Sequence, residues 1–326
     1  MYFLLEKSGR TWDELFEERA SFEDIDLPTL EKFKNLSIDR IPSIIQEKDW
    51  KIILEKLKLV ENGKIKRACI LLFGKDPQKF YIQSLVKIGK FKTQTEIISN
   101  DIVGGNLFKQ LENTLDMLKT KYLISEIKFE GIQRKEIIEY PYEALREAII
   151  NALIHRDYSG TSNIQIRIYK DKLVIMNEGK LPQDLPVEKL KTEHISKPRN
   201  PLLASVFYFA GFIESWGRGT LKILEACKNQ GLPEPDFQNE NGVMKVILYK
   251  DVYTEEYLKN LGLKERQIKA VLYVKEKGKI TLSEYKKLAK EGISERTLRR
   301  ELKDLVDKNI LKSKGEKKGR YYELSK

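Results

Sequence analysis

The sequence contains very little cysteine and histidine and no long apolar segment. Cys69 and Cys227 are the only cysteines in 326 residues and lie far apart, which argues against a disulfide framework. The two histidines, His155 and His194, have no cysteine cluster beside them and so make no zinc site. No apolar run reaches the roughly 18 residues of a membrane span. The N-terminus turns acidic too early for a signal peptide, so we expect a cytoplasmic protein without a membrane partner.

A phosphate-binding P-loop of the form G-x-x-x-x-G-K-[ST] is also missing. The nearest segment, LFGKDPQK at residues 72–79, does not have this spacing. A helicase motor that moves along nucleic acid is therefore excluded as an interpretation.

Positive charge is concentrated at the C-terminal end of the chain. The net charge is +11, and residues 255–326 contribute +9 of it, with 21 Lys and Arg against 12 Asp and Glu. The first 254 residues contain 39 Lys and Arg against 37 Asp and Glu, so they are nearly neutral. A basic terminal segment favours a polyanionic partner, for which nucleic acid is the usual candidate. A lysine-rich solubility bias is the alternative.

Pattern and length predict an α+β protein in four parts. Residues 1–60 carry helical patterns and form an N-terminal or linker segment. Residues 61–121 form an α/β region, in which RACILLFG at 67–74 predicts a buried strand, QSLVKIGKF at 83–91 another strand, and residues 105–124 a long amphipathic helix. Residues 122–250 and 255–326 form the third and fourth parts.

The third part opens with EALREAIINALIHRDY at residues 143–158, which has the period of a helix. Glu147, Asn151 and His155 form a polar line at i, i+4 and i+8, with Ile150 and Ile154 beside it. Polar groups that are half enclosed by apolar neighbours are costly unless they are partnered. The line is therefore either a hydrogen-bonded core network or part of a ligand site.

Further polar and glycine-containing segments follow in a suggestive order. IQIRIYKD and KLVIMNEG predict a hairpin that turns at Asp171 and Lys172. A loop at 181–201 follows, and then GRGT at 217–220 precedes a helix. Chemically, Glu147 could polarise a water and Asn151 could help to hold Mg²⁺. Backbone amides of Gly217 and Gly219 at a helix start suit phosphate oxygens, and Asn177 with Gly179 suits a nucleobase edge.

These segments together resemble the Bergerat-fold ATPases, which include gyrase-type topoisomerases and histidine kinases. The closer similarity is to RecG-like or Schlafen/AlbA-type regulators, through RACILLFGKDP, YPYEALREAIINALIHRDY, NEGKLP, RNPLLA and IESWGRGTLKILEAC. The resemblance implies an α/β sandwich that binds ATP and Mg²⁺, with Glu147 as the catalytic base and Asn151 as the Mg²⁺ ligand. It further implies a nucleotide-binding set consisting of Asn151, His155, Asn177, Gly179, Gly217, Arg218, Gly219 and Thr220.

The sequence departs from this family in three places. Asn177 stands where the superfamily usually has Asp, and Leu181 replaces a second glycine of the same box. The AlbA-like N-terminal domain is expected to be missing. Nucleotide binding is therefore the expectation, whereas slow ATP hydrolysis is left open. Lys197 and Arg199 in the loop are either phosphate ligands or solvated charges.

Residues 255–326 predict a winged helix-turn-helix. Three helical segments are followed by strand, basic turn and strand, and Ser294 is a natural N-cap for the third helix. The residues expected to face double-stranded DNA are Arg296, Thr297, Arg299, Arg300 and Lys303 on that helix, and Lys314, Lys317, Lys318 and Arg320 in the wing. A winged helix that binds protein is the alternative.

The preferred hypothesis is a homodimeric DNA-binding transcriptional regulator with an ATP-binding sensor domain. In this hypothesis, ATP and Mg²⁺ order the loop between Leu181 and Trp216 and thereby change DNA affinity. A DNA-associated ATPase in defence or repair, and a scaffold that has lost the nucleotide, are the alternatives.

Overall fold

The computed structural model describes residues 9–130, 133–214, 217–250, 253–289, 292–315 and 319–325, and only the backbone of residues 126–130, 133–137, 256 and 260. The chain divides into two compact units, residues 1–250 and residues 251–326. The predicted subdivision of the first unit at residues 60 and 121 remains a prediction.

The first unit is built from ten strands and seven α-helices among the described residues. The strands are β1 (Val60–Glu61), β2 (Lys64–Ile65), β3 (Val86–Phe91), β4 (Ile97–Val103), β5 (Ser125–Glu130), β6 (Gln133–Ile138), β7 (Ile164–Ile168), β8 (Lys172–Glu178), β9 (Asp236–Glu240) and β10 (Val243–Tyr249). The helices are α1 (Leu27–Leu36), α2 (Trp50–Lys56), α3 (Arg67–Phe73), α4 (Leu107–Met117), α5 (Tyr142–His155), α6 (Pro201–Phe209) and α7 (Gly219–Asn229).

A six-stranded mixed sheet organises this unit. Its order is β4-β3-β7-β8-β10-β9, in which β3 and β7 are parallel and the other neighbours antiparallel. Along β7, Ile164, Ile166 and Ile168 are buried whereas Gln165 and Arg167 are not, so one face of the strand supplies the core. Helix α5 packs against β8 and against α7. The result is an α+β layer structure of the ATPase-like kind.

The prediction of a strand at 67–74 is wrong. Residues 67–73 form helix α3, in which every residue from Ala68 to Phe73 is buried. A helix surrounded on all sides has no polar face, so its apolar run cannot be told from that of a buried strand by periodicity. The predicted hairpin turn is also one residue too late. The amide of Tyr169 donates to the carbonyl of Lys172 at 2.8 Å, which centres the turn on Lys170 and Asp171.

Other predicted elements are present with shorter or broken boundaries. The predicted helix at 105–124 is α4, which continues as one π-helical turn at Leu118–Tyr122. The helical pattern in the first 36 residues contains short 3₁₀ turns at Trp12–Glu14 and Phe22–Asp24 before α1 begins. None of the helices in the described part of the chain is long and apolar enough to cross a membrane.

The second unit contains four helices and a three-stranded sheet among its described residues. They are α8 (Glu255–Asn260), α9 (Glu265–Lys277), β11 (Ile280–Thr281), α10 (Leu282–Leu288), α11 (Glu295–Asp307), β12 (Leu311–Lys314) and β13 (Tyr321–Leu324). The sheet order is β11-β13-β12. Buried Glu301 on α11 accepts hydrogen bonds from Arg266 of α9 at 2.7 Å and Tyr285 of α10 at 2.8 Å. This carboxylate therefore joins the three longest helices of the unit.

Candidate functional site

The nine residues predicted to form the site in the first unit all line one cavity. It has a volume of about 1000 Å³ and lies between α5, the end of β8, the loop at 180–200 and the start of α7. The predicted residues in its wall are Glu147, Asn151, His155, Asn177, Gly179, Gly217, Arg218, Gly219 and Thr220. This volume is at the upper end of the range of small-molecule sites in proteins.

Glu147 and Asn151 meet the start of α7 across the cavity. A β-carbon built on Gly219 would lie 2.2 Å from Oε1 of Glu147 and 3.2 Å from Nδ2 of Asn151. The shorter of these distances leaves no room for a β-carbon while the Glu147 carboxylate keeps this position, so the two side chains occupy the space directly beside the α-carbon of Gly219. The polar line on α5 is therefore directed at the N-terminal end of a helix, where amides and helix dipole favour an anion.

The second glycine segment is enclosed by the loop. Gly217 has φ +65°, and a β-carbon on it would lie 2.0 Å from the carbonyl oxygen of His194. Thr220, in the first turn of α7, has a buried hydroxyl without a hydrogen-bond partner. Buried polar atoms are normally paired, and Thr220 is one of the residues that line the cavity. Its hydroxyl therefore has hydrogen-bonding capacity that no described residue uses. Ser215 and Trp216 lie outside the described residues.

The first glycine segment is fixed by hydrogen bonds around the end of β8. Nδ2 of Asn177 donates to the carbonyl of Glu178 at 3.2 Å, and the amide of Gly179 donates to Gly242 at 2.7 Å. A β-carbon on Gly179 would lie 2.6 Å from the carbonyl oxygen of His155. One N–H of the Asn177 amide is engaged in this bond, and its carbonyl oxygen can accept from a ligand.

Burial sets the protonation of two groups in the cavity wall. Glu147 is 7% exposed, and desolvation raises its pKa above the ordinary value although Lys222 and Arg146 oppose this. Desolvation, with a smaller contribution from His194, lowers the pKa of His155 to about 4. His155 is therefore neutral at pH 7, and the Glu147 carboxyl group has an enhanced affinity for protons. A carboxyl group tuned in this way is typical of general bases.

Sequence reasoning missed several residues that shape this cavity. Asp157, Glu178 and Asn200 lie at its edges or behind them, and Phe237, Met244 and Val246 from β9 and β10 add an apolar wall. The apolar residues lie on β9 and β10, where an apolar side chain in a strand pattern does not reveal whether it faces the core or a cavity. Asn200 was visible in the motif RNPLLA, but nothing in a single sequence indicates that its amide reaches back to α5.

These observations together fit a nucleotide with a divalent cation. Gly217 and Gly219 form a cradle that a side chain would fill, Thr220 offers an unpaired hydroxyl, and Asn151 offers an amide beside Glu147. Amide and carboxylate oxygens suit Mg²⁺, and backbone amides at the start of a helix suit phosphate. The apolar wall suits a base.

Comparison with known proteins suggests an ATPase-type domain within the first unit. Residues 161–248 match the family described as "Putative ATP-dependent DNA helicase recG C-terminal". The match includes both glycine segments but begins after α5. It supports a relationship to the RecG-like ATPase domains for this part of the chain.

Among solved structures, the chain is similar to the DIP2311 protein from Corynebacterium diphtheriae. The TM-score is 0.59 at 17% sequence identity, and the similarity covers 99% of this chain and 66% of that chain. At this identity the likeness concerns the fold. A comparison with curated proteins yields no match.

In the second unit, the structure exposes most of the residues predicted to contact DNA. Arg296, Arg299, Arg300 and Lys303 are exposed on α11, and Thr297 is half-buried. Ser294 caps α11, since its hydroxyl accepts from the amide of Thr297 at 3.3 Å. Of the wing residues, Lys314 pairs with Glu323 at 2.7 Å and Arg320 is exposed, whereas Lys317 and Lys318 lie outside the described residues.

Proposed function

We propose that the protein is a DNA-binding transcriptional regulator whose first unit binds ATP with Mg²⁺. The observation that carries the nucleotide site is the approach of Gly219 to Glu147 and Asn151. Carboxylate, amide and helix N-terminus converge there on one point of a 1000 Å³ cavity. An anion carrying a divalent cation matches that combination of groups better than an apolar ligand does.

Each group has a role that follows from its position. Asn151 would hold Mg²⁺, and the amides and hydroxyl of Gly217, Gly219 and Thr220 would bind phosphate oxygens. The bound cation would neutralise charge on the phosphates. Asn177 would accept a hydrogen bond from an exocyclic amino group of the base through its carbonyl oxygen. Neutral His155 closes the wall beside the first glycine segment.

Isothermal titration of the full chain with ATP and Mg²⁺ tests this site. Measurable binding is expected, and Asn151→Ala should weaken it about tenfold or more, since it removes a cation ligand next to the phosphates. Asn100→Ala is the matched control, because this exposed amide lies on β4 at the opposite edge of the sheet. No binding of ATP or ADP at millimolar concentration would instead favour a scaffold that keeps the fold without the nucleotide.

A DNA-stimulated ATPase is the second candidate function, and the buried carboxylate of Glu147 supports it. A buried carboxylate with a raised pKa beside a phosphate site is suited to removing a proton from an attacking water. Steady-state turnover of ATP, measured with and without duplex DNA, separates an ATPase from a sensor that only binds. The family description names a helicase, but the missing P-loop leaves no motor to propose.

The second unit supports DNA binding through its element order and its surface charge. Helix, strand, two helices and a two-stranded hairpin occur in the order of a winged helix, and α11 exposes four cationic side chains. In winged-helix proteins the corresponding helix enters the major groove. We extend the proposal to a homodimer that engages two half-sites, which analytical ultracentrifugation with and without operator-length duplex DNA would test.

A further inference from the structure

The loop between β8 and α6 is closed at its two ends by one side chain. Nη2 of Arg199 donates to the carbonyl oxygen of Lys180 at 2.8 Å. Residues 181–198, which include a 3₁₀ turn at Val187–Lys191, are therefore bounded by two contacting positions. Several residues of this segment form a wall of the cavity.

Arg199 also reaches the segment that leaves α5. Its Nη1 lies 3.6 Å from Oδ2 of Asp157, and both side chains are mostly buried, at 17% and 21% exposure. Burial lowers the pKa of the Arg199 guanidinium below its ordinary value, although an arginine still remains charged at neutral pH. The guanidinium thus joins three chain segments, namely the end of β8, the exit of α5 and the start of α6.

The next residue strengthens the same junction. Nδ2 of Asn200 donates to the carbonyl oxygens of Ile154 and Arg156 at 2.7 and 2.8 Å, and Asn200 is buried. These carbonyls belong to the last turn of α5, the helix that carries Glu147 and Asn151. The C-terminal end of the loop is consequently fixed to the helix with the proposed catalytic and cation-binding groups.

Lys197, two residues earlier, behaves differently. It forms an ion pair with Asp184 inside the loop, and both side chains are largely exposed, at 47% and 64%. Exposed pairs of this kind contribute little. The basic residues of the loop therefore fall into two types: a buried junction at Arg199 and a solvated pair at Lys197.

We propose that Arg199 is a positioning residue: its contacts with Lys180 and Asp157 join the two ends of the loop and stabilise the conformation of the cavity that binds a nucleotide. This inference rests on the proposed nucleotide site. Arg199 acts through Lys180 and Asp157 and does not itself bind phosphate.

Titration calorimetry with adenosine, ADP and ATP, the nucleotides in the presence of Mg²⁺, tests the proposal on the full chain. Arg199→Gln should weaken all three ligands by the same factor, roughly five- to tenfold, because it lowers the fraction of molecules with a competent cavity. Arg199→Lys should recover only part of the loss, since one ammonium cannot bond Lys180 and Asp157 in the same geometry. Lys191→Gln is the matched control and should change affinity less than twofold, because this exposed loop cation pairs with Glu234 at 2.6 Å and is not part of the cavity wall.

A graded loss, small for adenosine and large for ATP, would instead make Arg199 a phosphate ligand and overturn the proposal. Limited proteolysis with a glutamate-specific protease supplies the second readout, because cleavage after Glu188 and Glu193 does not depend on the substituted basic residues. Arg199→Gln should accelerate cleavage within the loop several-fold, while thermal unfolding shows that the unit stays folded. Should Arg199→Gln unfold the unit, Arg199→Lys is compared with the wild type instead.

The two readouts separate this proposal from the nucleotide hypothesis. If the wild type binds none of the three ligands but Arg199→Gln still accelerates cleavage of the loop, the nucleotide site is contradicted and the positioning role of Arg199 in the loop is supported. If the wild type binds ATP and Arg199→Gln changes neither affinity nor cleavage, only the positioning role of Arg199 is contradicted.

Discussion

Gly219 and Glu147 lie so close that a methyl group does not fit between them. The β-carbon of an alanine at 219 would approach Oε1 of Glu147 to 2.2 Å. Something must therefore move when this glycine is replaced, and the choice is between the carboxylate and the start of α7. The first movement takes the Glu147 carboxylate from its place in the cavity wall, and the second displaces the proposed phosphate-binding end of α7.

We expect Gly219→Ala to reduce ATP affinity by at least tenfold and to lower the thermal midpoint of the first unit. In a Glu147→Ala background the nearest atom is gone, so the same substitution should cost much less. A double-mutant cycle on unfolding measures this coupling, which for residues in contact is about 0.5–3 kcal/mol. Gly319→Ala is the control, because its β-carbon would meet nothing within 4 Å. Additive effects of the two substitutions would contradict the contact.

Glu147→Gln should abolish any slow ATP turnover while leaving ATP affinity nearly unchanged. A base acts on the reaction and contributes little to ground-state binding. Since burial raises the pKa of Glu147, turnover by the wild type should fall as the pH decreases through that raised value. A pH–rate profile of phosphate release checks this, and equal turnover in wild type and variant would remove Glu147 from the role of base.

Asp13 provides a test of stability away from the cavity. Its buried carboxylate accepts from the amides of Leu202 and Leu203 at 2.9 and 3.2 Å, which caps the start of α6. Desolvation raises its pKa from 3.8 to about 6, against the hydrogen bonds that lower it. The folded state therefore binds the proton more tightly than the unfolded state, and stability falls as the pH rises from about 4 through 6.

Asp13→Asn should remove this component of the pH dependence and make the first unit more stable at pH 7. One pKa unit corresponds to about 1.4 kcal/mol, so the gain has an upper limit of about 3 kcal/mol. Urea unfolding at pH 5, 6 and 7 measures it. Asp13→Ala also removes the cap of α6, so its gain in unfolding free energy should be about 1 kcal/mol smaller than that of Asp13→Asn. A variant whose stability changes with pH as much as that of the wild type would exclude Asp13 as the source.

Arg296 and Arg300 are the cations on α11 with which DNA binding is best tested. Arg299 is already paired with Glu295, at 3.8 Å, whereas the described residues show no ion pair for the other two. Each phosphate contact releases counterions and adds roughly 0.9 to the dependence of log K on log salt. Substituting both by Gln should therefore flatten the slope by up to about 2.

Fluorescence anisotropy with duplex DNA at several salt concentrations measures that slope. If one of the arginines reads a guanine, its substitution also costs about 1–3 kcal/mol on a preferred site. Lys277→Gln, at the exposed end of α9, is the control and should leave the slope unchanged. A chain that ignores DNA at low salt would point to a protein partner for the second unit.

Part of this structure was predictable because local pattern determined it. The period of residues 143–155 indicated α5, and alternation indicated β3, β7 and β8, since one face of each element meets the core. Asn62 and Gly63 form the turn of the β1–β2 hairpin, with φ values of +50° and +73°. Asn-Gly is a strong local hairpin signal, but only helical patterns were predicted for residues 1–60. The strand predicted at 67–74 failed because a fully enclosed helix has no periodic signal.

The sequence by itself determined which chemical groups are available: a carboxylate, an amide and an imidazole on one helical line, glycines in two short segments, and cationic residues at the C-terminal end. Only the tertiary structure decided which of them meet. The contact of Gly219 with Glu147 and the bond from Arg199 to Lys180 join residues 72 and 19 positions apart, and no local periodicity encodes such pairs. The first arises because α5 and α7 pack against each other, and the second because the chain returns after the loop to the end of β8. Both depend on how the residues between them pack.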